Sequence, residues 1–247
     1  MTQALFHQDA YLTECAARVN AVTEAGLVLD QTVFYPLGGG QAGDTGMLTL
    51  PDGSELHIAD TRKAKDDQGR PTADIVHLPA PGQEALLARF KPGDNVTARI
   101  DWARRHRLMR FHTATHLLCH LVPMPVDGCS ITPLHARLDF HMTDPLDKDA
   151  LTAGLAALVA ANHPVTLGSV TDAELDANPT LVRSMSVSPP RGSGTVRTGR
   201  IGAADLIDLQ PCGGTHVAHT SEIGAVTVTK IEKKSAQTRR VVLGLAD

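Results

Sequence analysis

The pattern of this chain changes character at Asp101, and that change limits the folds open to it. Before it, short β-like runs alternate with turn signals. Ala17 to Val22 and Leu27 to Phe34 flank Glu24-Ala25-Gly26, and Met47 to Leu50 and Glu55 to Ala59 flank the hairpin signal Pro51-Asp52-Gly53. Asp74 to Leu78 and Asn95 to Ile100 follow, the second entered through Pro92-Gly93-Asp94. Strands at this spacing predict a β-barrel-like domain or an open antiparallel sheet over residues 1–100. From Asp101, a candidate N-cap, a helix is expected over Trp102 to about Val122, ended by Pro123 and Pro125. A second helix is expected over Asp149 to Ala161, and Thr171-Asp172-Ala173-Glu174 is a capping box opening a third that stops before Pro179. With β-like runs at Ala136 to Phe140 and Val165 to Val170, and a terminal hairpin of Ala225 to Ile231 with Arg240 to Leu245, residues 101–247 form an α+β half. Ser186 to Gly194 reads as a low-complexity loop.

Composition narrows the class. No apolar run approaches the ~20 residues that span a bilayer, and Met1 to Ala10 lacks a basic patch followed by an apolar core. A cytoplasmic protein without a membrane partner is expected. Cys15, Cys119, Cys129 and Cys212 are too irregularly placed for a disulfide framework and contain no C-x-x-C pair, which leaves buried thiols or metal ligands. A net charge of −4 argues against a broad nucleic-acid-coating face. Two local clusters could still grip an RNA end: Arg104, Arg105, Arg107 and Arg110, then Lys230, Lys233, Lys234, Arg239 and Arg240. Solvated element faces account equally well for any single member.

The chemistry-bearing residues fall in two places. On the long helix, His112 and His116 are four apart, about 40° around the axis and one turn along it, so both rings can reach one ion. With 12 histidines in the chain, such a pair alone is weak. The second place is Pro211-Cys212-Gly213-Gly214-Thr215-His216, where two glycines suit a tight loop turning Cys212 and His216 inward. Three imidazoles and one thiolate make a reasonable tetrahedral zinc set. Spacing does not fix the helical pair, because His120 lies four residues after His116 and Cys119 three after it. Thr113 occupies the glutamate position of H-E-x-x-H, which argues against a peptidase.

Gly38-Gly39-Gly40-Gln41-Ala42-Gly43 formally matches a dinucleotide fingerprint, but β-like Met47 to Leu50 follows where a helix should begin. No dinucleotide cofactor is expected. The segment is then either a phosphate- or ribose-facing loop or a tight turn between strands.

Three segments together resemble the editing module of alanyl-tRNA synthetase and its freestanding relatives, the AlaX family. They are Leu29 to Pro36 leading into Gly38-Gly39-Gly40-Gln41 and Asp44-Thr45-Gly46, then His112 to Leu118, then Asp208 to Val217. The first segment is absent from the threonyl-tRNA synthetase editing domain and points to the longer AlaX type with an N-terminal β domain. The resemblance implies an N-terminal barrel-like domain and an α+β editing core of the threonyl/alanyl-tRNA synthetase second-domain type, between which the aminoacyl end of tRNA binds. It selects zinc on His112, His116, Cys212 and His216. It implies Thr113 as a catalytic residue near the amino-acid pocket, and Gly38, Gly39, Gly40, Gln41 and Gln210 as substrate-binding positions. The implied reaction is hydrolysis of the ester that joins serine, and also glycine, to tRNA(Ala). Two rivals stand beside it: a non-catalytic tRNA-binding module with a structural zinc, and a zinc hydrolase of small esters. Only 3% of the residues are aromatic, which speaks against base stacking as a main device of the first.

Overall fold

A computed structural model describes residues 1–185 and 194–246, so the low-complexity loop expected from Ser186 falls, up to Ser193, outside the described residues. The chain divides into two compact units, one of residues 1–38 with 42–106 and one of residues 39–41 with the chain from Arg107 onward. The architecture is mixed α/β.

In the first unit, β1 (Gln3–Ala4) pairs in parallel with β4 (Gln31–Thr32). A six-stranded closed barrel is built from β2 (Glu14–Thr23), β3 (Gly26–Leu29), β5 (Gly46–Thr49), β6 (Glu55–Lys65), β7 (Pro71–Pro79) and β8 (Asn95–Ile100), in the order β2-β3-β7-β6-β5-β8. Alternation drives closure: Leu56 and Ile58 of β6, and Val96, Ala98 and Ile100 of β8, turn inward while their neighbours face out. With Leu27, Leu29, Phe34 and Leu48 they fill the interior. The expected run Leu27 to Phe34 is broken at Asp30, whose carboxylate accepts from the amides of Arg18 and Gln31 and interrupts the ladder. β6 and β7 extend beyond the expected ends through polar residues joined across a turn at Asp66–Arg70, which apolar alternation does not reveal. A helical turn, α1 (Glu84–Leu87), was also not expected. A strand, β5, and not a helix follows the glycine segment.

Two buried polar groups pin this unit. Arg105 is fully buried and bonds both oxygens of Asp44, itself buried, while also donating to the carbonyls of Ala10 and Val33. His77 is fully buried inside the barrel, its Nδ1 donating to the Leu27 carbonyl at 3.1 Å, so Nε2 accepts from the Thr32 hydroxyl at 2.8 Å. Burial holds its pKa down at about 4, partly offset by the Leu27 bond.

The long helix α2 (Trp102–Leu121) is capped as expected, Asp101 accepting from the Arg104 amide at 3.1 Å, and the division between the units falls within it. The second unit holds two sheets. One contains β9 (Val126–Ile131), β10 (Ala136–His141), β14 (Val226–Ser235) and β15 (Thr238–Leu245), ordered β14-β15-β10-β9; the other contains β11 (Val165–Thr171), β12 (Thr195–Ile201) and β13 (Asp208–Pro211). Helix α3 (Lys148–Ala160), capped by Asp147, buries Leu151 and Leu155 and packs on β14. Helix α4 (Asp172–Ala177) opens with the expected capping box. β9, β12 and β13 were not expected: the first two carry glycine and lack clean alternation, and the third ends in Pro211.

The arginines of the proposed basic clusters are engaged within the fold, whereas the lysines of the second cluster are exposed. Arg105 is internal, Arg104 donates to the Gly43 carbonyl, Arg107 to Pro133 and Arg110 to Ile223. Arg239 is buried on carbonyls that include Thr143, Arg240 forms a two-pronged pair with Asp139, and Lys230 pairs with Glu232; Lys233 and Lys234 are exposed. Among the described residues no helix is long and apolar enough to cross a membrane.

Candidate metal centre

Helix α2 presents His112 and His116 one turn apart on its buried face, with the intervening Thr113, Ala114 and Thr115 also buried. The loop after β13 supplies Cys212 and His216. Gly214 lets that loop pass the helix, because a Cβ there would sit 2.0 Å from Cε1 of His112. The guanidinium of Arg197 on β12 ties the loop down, donating to the carbonyls of Cys212 at 2.7 Å and Gly214 at 3.0 Å.

One donor atom from each of His112, His116, Cys212 and His216 lies within 4.8 Å of the others. The Cys212 sulfur is 3.5 Å from Nε2 of His112 and 3.1 Å from Nε2 of His216. His120, the spacing alternative, instead meets the Ile207 carbonyl at 2.7 Å. Cys119 is buried, and burial holds its thiol up at about 12, as it does that of Cys129. Neither behaves as a ready thiolate.

Each histidine is held through Nδ1. His112 meets Oε1 of Gln41 at 2.7 Å; the same oxygen accepts from the Thr215 amide, so it is the carbonyl end and Nδ1 carries the proton. Gln41 closes the arrangement by donating to the Thr215 hydroxyl at 2.8 Å. His116 donates from Nδ1 to the Asp208 carboxylate at 2.7 Å, and Gln210 donates to the same oxygen at 2.9 Å. His216 has its Nδ1 3.1 Å from the Thr113 hydroxyl, which also accepts from the Val217 amide. The Nε2 lone pairs of His112 and His116 are thereby freed, as a metal ligand requires.

The cluster's charge is shared between Cys212 and His116, and an ion bound there would displace a proton from His116. Burial opposes ionisation at Cys212, but His112 and His216 outweigh it and hold the thiol well below its ordinary range. Burial also opposes charge on His116, yet Asp208 and Cys212 together carry its pKa up to about 10. Burial dominates at His216, which falls to about 3. The donor chemistry suits a borderline divalent ion such as zinc.

The other expected positions are spread differently. Gly39 and Gly40 belong with Gln41 to the second unit; Gly40 has φ +85°, and a Cβ there would press on the Cys129 sulfur at 2.8 Å. Gly38 belongs to the first unit, where its carbonyl accepts from the Tyr35 hydroxyl. Gln41 and Thr113 are fully buried with their polar groups engaged, and Gln210 is partly buried. Asp208 was not singled out as a site residue, although its signal was present. Asp208, Gln210 and Cys212 alternate, as residues on one face of a strand do.

Residues 189–242 match the family described as threonyl and alanyl tRNA synthetase second additional domain, and residues 3–104 match class II (A) tRNA synthetases. The chain is 33% identical to the alanyl-tRNA editing protein AlaX-M of Methanosarcina mazei, covering 100% of this chain and 98% of that protein. It is 35% identical to its Methanosarcina barkeri counterpart, covering all of both. An alanine–tRNA ligase of Sulfurisphaera tokodaii is 33% identical over 94% of this chain but only 25% of its own length. With such identity along its full length, the chain belongs to the family of freestanding AlaX alanyl-tRNA editing proteins.

Proposed function

We propose that this protein is an aminoacyl-tRNA deacylase that hydrolyses the ester of tRNA(Ala) carrying a non-cognate amino acid, chiefly serine and also glycine. Zinc would be held by His112, His116, Cys212 and His216. The observation that carries the reading is the convergence of these four donors, within 4.8 Å, in a chain aligned end to end with editing proteins. When bound, the ion supplies a Lewis acid able to polarise an ester carbonyl or acidify a water. The aminoacyl ester is already activated, so positioning provides much of the remaining help.

The chain's own residues divide that work. Gln41 and Asp208 hold His112 and His116 in the Nε2-donating form. Thr113 is assigned a positioning role on His216 in place of direct contact with the amino acid, because its hydroxyl is buried and engaged there. Gly39, Gly40 and Gln210 are assigned to the substrate. We take the barrel unit and the second unit as the β domain and editing core expected over 1–100 and 101–247, acting in the cytoplasm.

The four-donor set also favours a second reading, a tRNA-binding module with a closed structural zinc, since catalytic zinc usually has three protein ligands. Incubating Ser-tRNA(Ala), Ala-tRNA(Ala) and a simple serine ester with the purified protein, with and without a chelator, separates them. Deacylase action predicts chelator-sensitive loss of serine from tRNA. The binding module predicts no hydrolysis of any of the three, and a small-ester hydrolase predicts that the free ester is turned over as readily as the tRNA.

A further inference from the structure

The three imidazoles of the metal centre are held by three chemically different partners, and the difference is informative. His112 rests on an amide carbonyl, His216 on a hydroxyl, and His116 on a carboxylate. We infer that Asp208 is a positioning residue that fixes the His116 ring and supplies the second negative charge needed to balance a divalent ion in this site. The inference rests on the metal reading above and deepens it.

Charge balance is the first argument. Among the four donors the thiolate of Cys212 is the only anion, so a divalent ion on them leaves one uncompensated positive charge. His112, His116 and His216 are 4–5% exposed, and unbalanced charge in such surroundings is costly. Asp208 is 4% exposed and lies one hydrogen bond from the ring of His116. Gln41 and Thr113 hold the other rings without adding charge.

Geometry is the second argument. The carboxylate is fixed from two directions: its backbone pairs with Ile201 in the β12–β13 ladder, and Gln210 donates to Oδ2 at 2.9 Å. A carboxylate fixed in this way sets the plane of the His116 ring, keeps the proton on Nδ1 and makes Nε2 a stronger donor. Because β13 also leads into the loop bearing Cys212, one strand sets both the thiolate and the carboxylate. The Asp208-x-Gln210-x-Cys212 alternation is therefore a single metal-supporting motif.

Two substitutions test this on the full-length protein. Asp208→Asn keeps an acceptor for the Nδ1 proton but removes the charge; Asp208→Leu removes both. Metal affinity is read by titrating metal-free protein with zinc against a chromophoric chelator, and ligand geometry by the visible spectrum of the cobalt(II) form. About 10-fold weaker zinc binding is expected for Asp208→Asn, with a wild-type-like tetrahedral cobalt spectrum, and about 100-fold for Asp208→Leu, with an altered spectrum. Circular dichroism confirms folding, and the Asn variant carries the test if the Leu variant does not fold. A folded Asp208→Asn protein that binds zinc as tightly as wild type would overturn the inference. A wild-type protein that takes up no zinc would remove the metal site itself, and this inference with it.

Discussion

A single methyl group decides whether the His112 ring fits. Gly214 faces that ring so closely that Gly214→Ala would place a carbon 2.0 Å from Cε1 and 2.4 Å from Nδ1, and Oε1 of Gln41 would be 3.0 Å away. The ring must move off its Gln41 bond, and zinc affinity is expected to fall at least about 10-fold with the secondary structure intact. Chelator competition measures this; unchanged affinity would mean that the loop gives way instead. Arg105 offers a test of the first unit. Its guanidinium sits wholly inside with Asp44, so Arg105→Met leaves a buried carboxylate unpaired and should lower unfolding stability by about 3–5 kcal/mol. Urea denaturation reads the loss. A cost below about 1 kcal/mol would mean that water or another cation reaches Asp44. Sequence reasoning set Arg105 in a basic cluster because linear proximity to three other arginines carries no information about burial.

The elements show how far periodicity reaches. The barrel strands and α2 were legible because apolar alternation and an Asp N-cap mark them locally. β12 and β13 were not, since Gly199 and Pro211 erase the strand signal and only cross-strand pairing defines them. The convergence of the His₃Cys cluster was legible for a different reason: its two residue pairs each carry a short spacing, whereas Gln41 and Asp208 meet rings 71 and 92 positions away along the chain. Helix α3 depends on Asp147, which accepts from the amides of Asp149 and Ala150. Asp147→Ala should cost about 1 kcal/mol, seen as a lowered urea midpoint at unchanged slope. No change would imply that the packing of Leu151 and Leu155 alone fixes the helix start. In the barrel, His77 is neutral when folded and resists protonation down to about pH 4, whereas an unfolded histidine protonates near 6.5. Between those values the unfolded chain binds a proton that the folded chain does not. Stability should therefore fall as pH drops through that window, by about 1.4 kcal/mol per unit, and be insensitive to this group above it. His77→Gln, which can still bond Leu27 and Thr32, should flatten the decline between pH 6.5 and 4. An equal slope in both proteins would show that other groups cause it.

At the scale of the whole molecule, this chain of the AlaX family carries a six-stranded barrel in one unit and a His₃Cys cluster in the other, and the function proposed for it can be put to one test. The central claim is that the centre serves to remove the wrong amino acid. Alanine lacks only the serine hydroxyl, so preference for serine needs polar groups that are left unpaired when alanine binds. The direct measurement is single-turnover deacylation of Ser-tRNA(Ala) and Ala-tRNA(Ala) by wild type and by the Cys212→Ala, His216→Ala double variant, each with its zinc content determined. The account predicts about one zinc per wild-type chain, serine released much faster than alanine, and loss of both zinc and serine release in the variant. Equal rates on the two tRNAs, or a zinc-free variant that releases serine at the wild-type rate, would contradict it.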